Sequence, residues 1–502
     1  MTRRCILLLL VFVARAHAQP VASGFDSRLI TSVYTTALGF MAPRTLDPVP
    51  VGTLTIWGLH GLTTLDPSLM VEQRRGKLLL VSGKRVVLTE AAPAGQQPAP
   101  WVASAVRLYE MAVAVSPAVR RAGTQGIIQT FFDEMFDHLD PYSRYVAPLE
   151  AAKDRDRRNG RAGLGVTLTQ RDSSIVVQQA AIDGPAMMAG LDPGDTILAV
   201  GGEAVRRLGV GDVERMMAGP LGTGVQVSWR HDGAPPRSAD LVRSLVPPET
   251  VFRGFAGDML VLRITSFSDN TAAHIEHDLR EAASGPRRLA GIVLDLRGNR
   301  GGLLSQAADA ADLLLPSGVV ATTKGRDPAA DHVFRSGEDE IDRDVPVVVL
   351  VDGRTASAAE ILAAALADRG RAVVIGSSTL GKGLVQTITP LPDGGELFVT
   401  WSRVLAPRAW PLQSLGVLPQ VCTSRGEARL REQLAALAQG TQPMAQDIAV
   451  DRSVRAPLPA TEIAAIRNTC PSGEETDLDL AAAQVLIHDP ASYAAALLPV
   501  MR

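Results

Sequence analysis

The sequence predicts a multidomain α/β chain. It has an alternating α/β core, a β-rich module inserted ahead of it, and helical regions at both ends. Three observations carry that reading. Between about 247 and 421, strand-like and helix-like runs alternate: "GIVLDL" (Gly291 to Leu296), a helical run from Leu303 to Leu315, "VPVVVLV" (Val345 to Val351), a helical run after Ser357, and "RAVVIG" (Arg371 to Gly376). A strand-helix-strand order calls for parallel pairing. Between 162 and 246, short apolar runs are separated by glycine-containing turns instead. Finally, the chain has 502 residues, 46% of them hydrophobic, and a net charge of only −3. That suffices for several ordinary cores at about 100–200 residues per domain, and lacks the basic surplus of a nucleic-acid binder.

The elements follow in order. Arg3 and Arg4 precede an apolar run from Ile6 to Ala14, and Ala16-His17-Ala18 has the small residues of a cleavage site. Residues 1–18 therefore read as a signal peptide, too short to span a bilayer, and the mature chain as exported. Residues 19–160 read as a mostly helical region. Two of its stretches are weakly alike: "WGLHGLTTLDPSL" (Trp57 to Leu69) and "FFDEMFDHLDPYSRYV" (Phe131 to Val146). Both are amphipathic and run into Leu-Asp-Pro, as a degenerate repeat or as two helices stopped by a proline. "EAAPAGQQPAP" between them is a linker by composition.

In the module 162–246, "GLGVTLTQ" and "SIVVQQA" look like paired strands, "VGDVERMMAG" like a short helix, and "GVQVSWRHDG" like the final strand. After the core, 422–502 is rich in Ala and Leu and reads as a helical tail. Cys5 leaves with the leader. Cys422 and Cys470 remain, either as one disulfide stapling the tail or as two buried thiols.

The stretch with chemistry in it is "DGRTASAAEILAAAL" (Asp352 to Leu366). Ser357 stands among Thr355, Ala356, Ala358 and Ala359, small enough to let a substrate approach. Ser357-Ala358-Ala359-Glu360 also fits a capping box before an apolar run. The two readings are compatible, because a helix N-terminus offers free N–H groups to a developing oxyanion. None of the eight histidines falls in a catalytic pattern, so a serine nucleophile needs another base.

"GSSTLGKG" (Gly376 to Gly383) satisfies the first seven places of a phosphate-binding loop, G-x-x-x-x-G-K. However, Gly383 stands where Ser or Thr would hold Mg²⁺, and "LVQTITPLPDGG" reads as a hairpin arm where a helix is required. Lys382 fits a general base better. Its ordinary pKa of about 10.4 must fall by ~3 units to act near neutrality, which burial among apolar groups can bring about. Leu380 and Leu384 flank it, and the neutral amide of Gln386 can orient an amine without stabilising its charge. The plain alternative is a solvated lysine on a turn.

Together these stretches resemble one family, the C-terminal (tail-specific) processing peptidases, S41 serine peptidases with an inserted PDZ domain. The resemblance runs from about Phe136 to Val421. It rests on "GLGV" with "DGPAMMAGLDPGDTILAVGGEAV", on "VLDLRGNRGGLLSQAADAADLLLP", on the Ser357 stretch and on "STLGKGLVQTITPLPDGGELFVT". It implies a crotonase-like, ClpP-like peptidase core and cap over 247–421 and a PDZ domain over 162–246. By position, Ser357 is implied as nucleophile, Lys382 as general base and Gln386 as the residue that positions the lysine. The oxyanion hole would come from the N–H of Ala358 and one glycine of Gly301-Gly302, Gly301 being the choice.

A substrate tail would meet the loop Gly163, Leu164, Gly165 and Val166, with Val213, Met216 and Met217 lining a pocket for its last side chain. Three departures stand out: Arg300 where proline is frequent, Ala359 for serine, and Trp410-Pro411 for small polar residues. The implied function is an exported serine endopeptidase, without cofactor or metal, cleaving proteins near apolar free C-termini. It would be periplasmic or otherwise extracytoplasmic, homo-oligomeric, served by an adaptor lipoprotein, and without nucleic-acid partners. The alternative is a catalytically inactive S41-fold PDZ scaffold. A trypsin-like protease would need a His…Asp…Ser order that is not there.

Overall fold

The computed structural model describes residues 24–499 apart from 183, 287 and 339. The expected leader lies outside these residues. Among them, no helix is long and apolar enough to cross a membrane. The chain divides into two compact units.

The smaller unit centres on Val49–Tyr145. It holds the helices Val51–Leu65, Pro98–Val115 and Pro117–Phe136, most of Ser27–Arg44, and a three-stranded antiparallel sheet, Leu69–Arg74, Lys77–Ser82 and Arg85–Ala91. Helices make up most of this region, as expected; the sheet among them was not foreseen. Its signal is two tight turns, with Arg75, Gly76 and Gly83 at positive φ, the backbone that two-residue hairpins require. The many basic residues in the strands mask the alternation. Aromatic packing forms the core of this unit, with Tyr34 stacked 4.0 Å from Phe131 and Phe132 edge-on to both.

The two similar stretches are helices packed on one another. The first ends at Leu65 and the second at Phe136. In each, the aspartate of Leu-Asp-Pro closes a local turn: Asp66 accepts the N–H of Ser68 at 2.9 Å, and Asp140 those of Tyr142 and Ser143 at 2.9 and 3.0 Å.

In the larger unit the β-rich module starts with Arg161–Gly163, paired antiparallel with Ser244–Val246. Entry and exit are thus neighbours. A Cβ on Gly160 would meet the Val246 carbonyl at 2.2 Å, so only glycine fits there. The module's sheet runs in the order Arg237–Val242, Gly224–Arg230, Thr196–Val200, Ser174–Ala180, Val166–Arg171. Gly224–Arg230 was expected to be its final strand and is not. Arg237–Val242 folds back on it with Gly224 opposite Val242, on a sequence whose charged residues conceal the strand.

The α/β core is a six-stranded sheet in the order Val251–Ala256, Met259–Ile264, Gly291–Asp295, Val347–Val351, Ala372–Gly376, Val421–Cys422. Every pairing but the first is parallel. The three inner strands are buried at every residue, as parallel strands covered on both faces must be. Ile292, Leu294, Val347 and Val349 pack with the helices Leu304–Asp312 and Ala358–Asp368. The alternate residues Val293, Val348, Leu350 and Val373 pack with Glu427–Ala438, Asp477–His488 and Pro490–Ala496. The helical tail is thus the second layer of the core. A separate antiparallel sheet orders His332–Ser336, Gly318–Gly325, Glu396–Leu405 and Leu384–Pro390.

Candidate active site

Ser357 sits where the buried strand Val347–Val351 turns into the helix Ala358–Asp368. Asp352 shapes the turn, accepting the N–H groups of Gly298, Arg354 and Thr355 at 2.8–3.0 Å. Ser357 has φ +59° and ψ −121°, a conformation strained for a side chain bearing a Cβ and held only where its surroundings dictate it. This is not the extended backbone of an ordinary N-cap. The Glu360 half of the expected capping box forms, with the Ser357 N–H donating to Glu360 Oε2 at 2.7 Å, while the serine hydroxyl makes no cap bond. The residue is half-buried and its small neighbours Ala356, Ala358 and Ala359 are buried.

Glu360 does more than cap. Fully buried, it accepts the N–H of Gly381 at 2.7 Å on Oε1 and that of Lys382 at 2.9 Å on Oε2, together with the Thr379 hydroxyl at 2.5 Å. One carboxylate therefore gathers the backbone of the serine and the backbone of the lysine. Burial pushes its carboxyl above the usual range, against the four hydrogen bonds that favour the charged form. A further bond joins the loops, from Leu380 N–H to Thr355 O at 2.9 Å. S-x-x-E in the sequence signals a cap; nothing local signals that the same side chain reaches 22 residues onward to Lys382.

Lys382 is half-buried, and the strand Leu384–Pro390 follows it without a helix, which removes the phosphate-binding-loop reading. Gln386 lies on that strand, its Nε2 donating to Leu384 O at 3.2 Å and Thr400 Oγ1 at 3.1 Å. With both amide protons engaged, its Oε1 is the group left to receive a donor.

Gly301 lies against the serine turn and Gly302 against the backbone of Phe267. A Cβ on Gly301 (φ +92°) would stand 2.8 Å from Ser357 Cβ and 2.9 Å from Ala358 N, and one on Gly302 only 2.1 Å from Phe267 O. Ala358 opens its helix, so its N–H has no acceptor within it. The N–H of Gly301, by contrast, is donated to Asn299 Oδ1 at 2.8 Å. Asn299 is fully buried and anchored by its Nδ2 to Ile264 O at 2.8 Å. In this arrangement the Gly301 N–H is thus engaged. A side chain two residues upstream accepts its hydrogen bond, which the spacing of the motif does not disclose.

In the β-rich module, Gly163 to Val166 link the short strand Arg161–Gly163 to Val166–Arg171, with Gly165 at φ +77°. Val166–Arg171 is the edge of its sheet, a row of backbone groups open to an added strand. The helix Val210–Met217 packs against that strand. On it, Val213 and Met217 are buried in the module's core and Met216 is partly buried against it.

The tail braces the lysine loop. Cys422 and Cys470 form a disulfide, 48 residues apart in sequence. Beside it, Ser378 donates to Cys470 O at 2.6 Å, Ser377 to Gly473 O at 3.1 Å, and Arg467 to Thr379 O at 2.7 Å. Gly353, on the serine side, donates to Gly473 O at 2.7 Å. Trp410, a departure noted above, donates its indole N–H to buried Asp368 at 2.7 Å, at the far end of the Ser357 helix, under the stacked guanidinium of Arg452.

The sequence matches the pattern of peptidase family S41 over residues 258–423 and that of a PDZ domain over 176–230. It is 33% identical over 301 residues to a carboxy-terminal-processing protease of Bartonella bacilliformis, spanning 59% of this chain and 69% of that protein. It is also 33% identical over 339 residues to a chloroplastic C-terminal processing peptidase of Tetradesmus obliquus, spanning 63% and 71%. A solved photosystem II D1 C-terminal processing protease is 27% identical, with 74% of this chain and 92% of that one covered and a TM-score of 0.35.

Proposed function

Because the chain belongs to the carboxy-terminal processing proteases of peptidase family S41 and carries a PDZ domain, we propose that it cleaves exported proteins near their C-termini with a Ser357–Lys382 dyad. The observation that carries this reading is the Glu360 carboxylate, which holds the amides of Ser357 and Lys382 together at 2.7 and 2.9 Å. Such a tie between two segments 25 residues apart suits a pair of side chains that work together.

Neutral Lys382 takes the Ser357 proton as the hydroxyl attacks the scissile carbonyl, then returns it to the leaving amine. Gln386 presents Oε1 to the lysine and fixes its rotamer. The developing oxyanion receives the Ala358 N–H, and a second donor comes from Gly301 once it turns from Asn299. In the PDZ domain, the substrate's terminal carboxylate meets the amides of Gly163 to Val166. Its last residues add as a strand along Val166–Arg171, with Met216 beside the terminal side chain. The leader-like residues 1–18 support export. Homo-oligomers and an adaptor lipoprotein belong to the same reading.

The test is a pair of variants on an unstructured protein substrate. Ser357→Ala and Lys382→Ala should each abolish cleavage while leaving the melting temperature near wild type, because members of a catalytic unit cost nearly as much singly as together. Near-wild-type turnover in Lys382→Ala would remove the dyad. Tail binding without cleavage in the wild type would mean a scaffold.

A further inference from the structure

The two similar stretches of the smaller unit bring together side chains that the peptidase reading leaves unused. His60 lies on the helix Val51–Leu65, Glu134 on Pro117–Phe136, and His138 just beyond that helix's end. Their ligand atoms, two imidazole nitrogens and a carboxylate oxygen, all lie within 4.8 Å of one another. We propose that His60, Glu134 and His138 form a Zn²⁺ site that fastens these two helices together.

The donor set suits the ion: imidazole and carboxylate bind Zn²⁺ at about 2.0–2.2 Å, with three protein ligands and a water completing a tetrahedron. Ligands of such a site stand roughly 3.4 Å apart by that geometry. Glu134 Oε1 and His138 Nε2 are already 3.9 Å apart, so side-chain rotation alone closes the remainder. The scaffold is rigid. A Cβ on Gly61, next to His60, would meet Thr130 O at 2.3 Å, and one on Gly58 would strike the Phe131 ring at 2.3 Å. The helices therefore touch backbone to backbone one turn before Glu134.

The His138 ring is fixed too, stacked on Trp57 at 4.6 Å. Its flat face is covered, and its nitrogen edge is left to bind. The carboxylate end of the long helix also suits a cation. Asp133, Glu134 and Asp137 cluster there with the negative end of the helix dipole. Among the described residues only His138 forms an ion pair with Glu134. The other cluster of this kind, His277, Asp278 and Glu281, differs in that Arg253 already holds Glu281 at 2.7 Å.

The experiment is calorimetric titration of ZnCl₂ into the full chain stripped with a chelator, with the melting temperature recorded in parallel. One site of stoichiometry about one is expected, raising the melting temperature. His60→Ala and His138→Gln should each weaken it by at least about tenfold, without lowering the metal-free melting temperature by a comparable amount. His138→Gln changes an exposed side chain and keeps the fold testable if His60→Ala does not. Cobalt(II) bound in place of zinc should show the visible absorption of a low-coordinate site, lost in both variants. No binding by the wild type, equal binding by both variants, or binding lost only in His277→Ala would overturn the assignment.

Discussion

The loop pair around Glu360 and the groove of the PDZ domain are built in opposite ways. Around Glu360 the backbone is knotted: the N–H groups of Ser357, Gly381 and Lys382 share one buried carboxylate, and a serine is held in a backbone conformation it would not adopt alone. In the PDZ domain the strand Val166–Arg171 is left as a sheet edge beside a glycine turn. The first region is tied together in advance, as preorganisation favours, save for the Gly301 N–H that Asn299 still holds. The second is left unfinished so that a peptide can complete it. Rate should therefore answer to changes around Glu360, and selectivity to changes in the groove.

The sharpest way to break this contrast is Glu360→Gln. The amide turns two acceptor positions into donors facing N–H groups. The Ser357 and Lys382 loops should separate, and kcat should fall about a hundredfold, the cost of a misplacement near 1 Å. Stability should fall by only about 1–3 kcal/mol, as for a buried group left unsatisfied. Loss of folding with no change in kcat of the folded fraction would make Glu360 a plain helix cap.

The next effect is on selectivity. One substrate with three ends, apolar free acid, apolar amide and Asp-Asp acid, should be cleaved about tenfold faster with the first, since charge-assisted hydrogen bonds to a carboxylate contribute roughly 1.5–3 kcal/mol. Deleting 161–246, whose ends pair with one another, should equalise the three. Equal rates in the intact protein would leave the PDZ domain without a role in tail selection.

The smallest effect separates a tie that positions from one that stabilises. Asp295 is buried between Arg297 and Arg263, 2.7 and 2.8 Å away. Burial raises its pKa, but the two guanidiniums outweigh it and hold the carboxyl below its usual value. A depressed carboxylate contributes stability above its unfolded pKa of about 3.9 and loses it as pH falls through the folded value. Asp295→Asn should thus melt below wild type at neutral pH, with the gap narrowing under acid. A gap that stays constant from neutral to strongly acid pH would contradict that.

How much of this was legible in the sequence follows the range of each interaction. The alternating core was readable because Val347–Val351 and Ala372–Gly376 are continuous apolar runs, and the strand-to-helix turn at Ser357 because its small residues are local. The sheet Leu69–Ala91 escaped, since Arg74, Arg75, Lys77 and Arg85 break the apolar alternation. Asn299's hold on Gly301 and Glu360's reach to Lys382 escaped for a different reason. Each depends on which loops the fold brings together, and no periodicity encodes that.

The disulfide gives the protein a sense of time. Lys382's loop leans on residues 467–473, which are made some 85 residues after the lysine itself, and the Cys422–Cys470 disulfide fastens those residues covalently beside their own hydrogen bonds. While the chain is being synthesised, the loop of Lys382 therefore lacks these partners. The covalent closure at Cys422–Cys470 thus stands beside the last-made support of that loop.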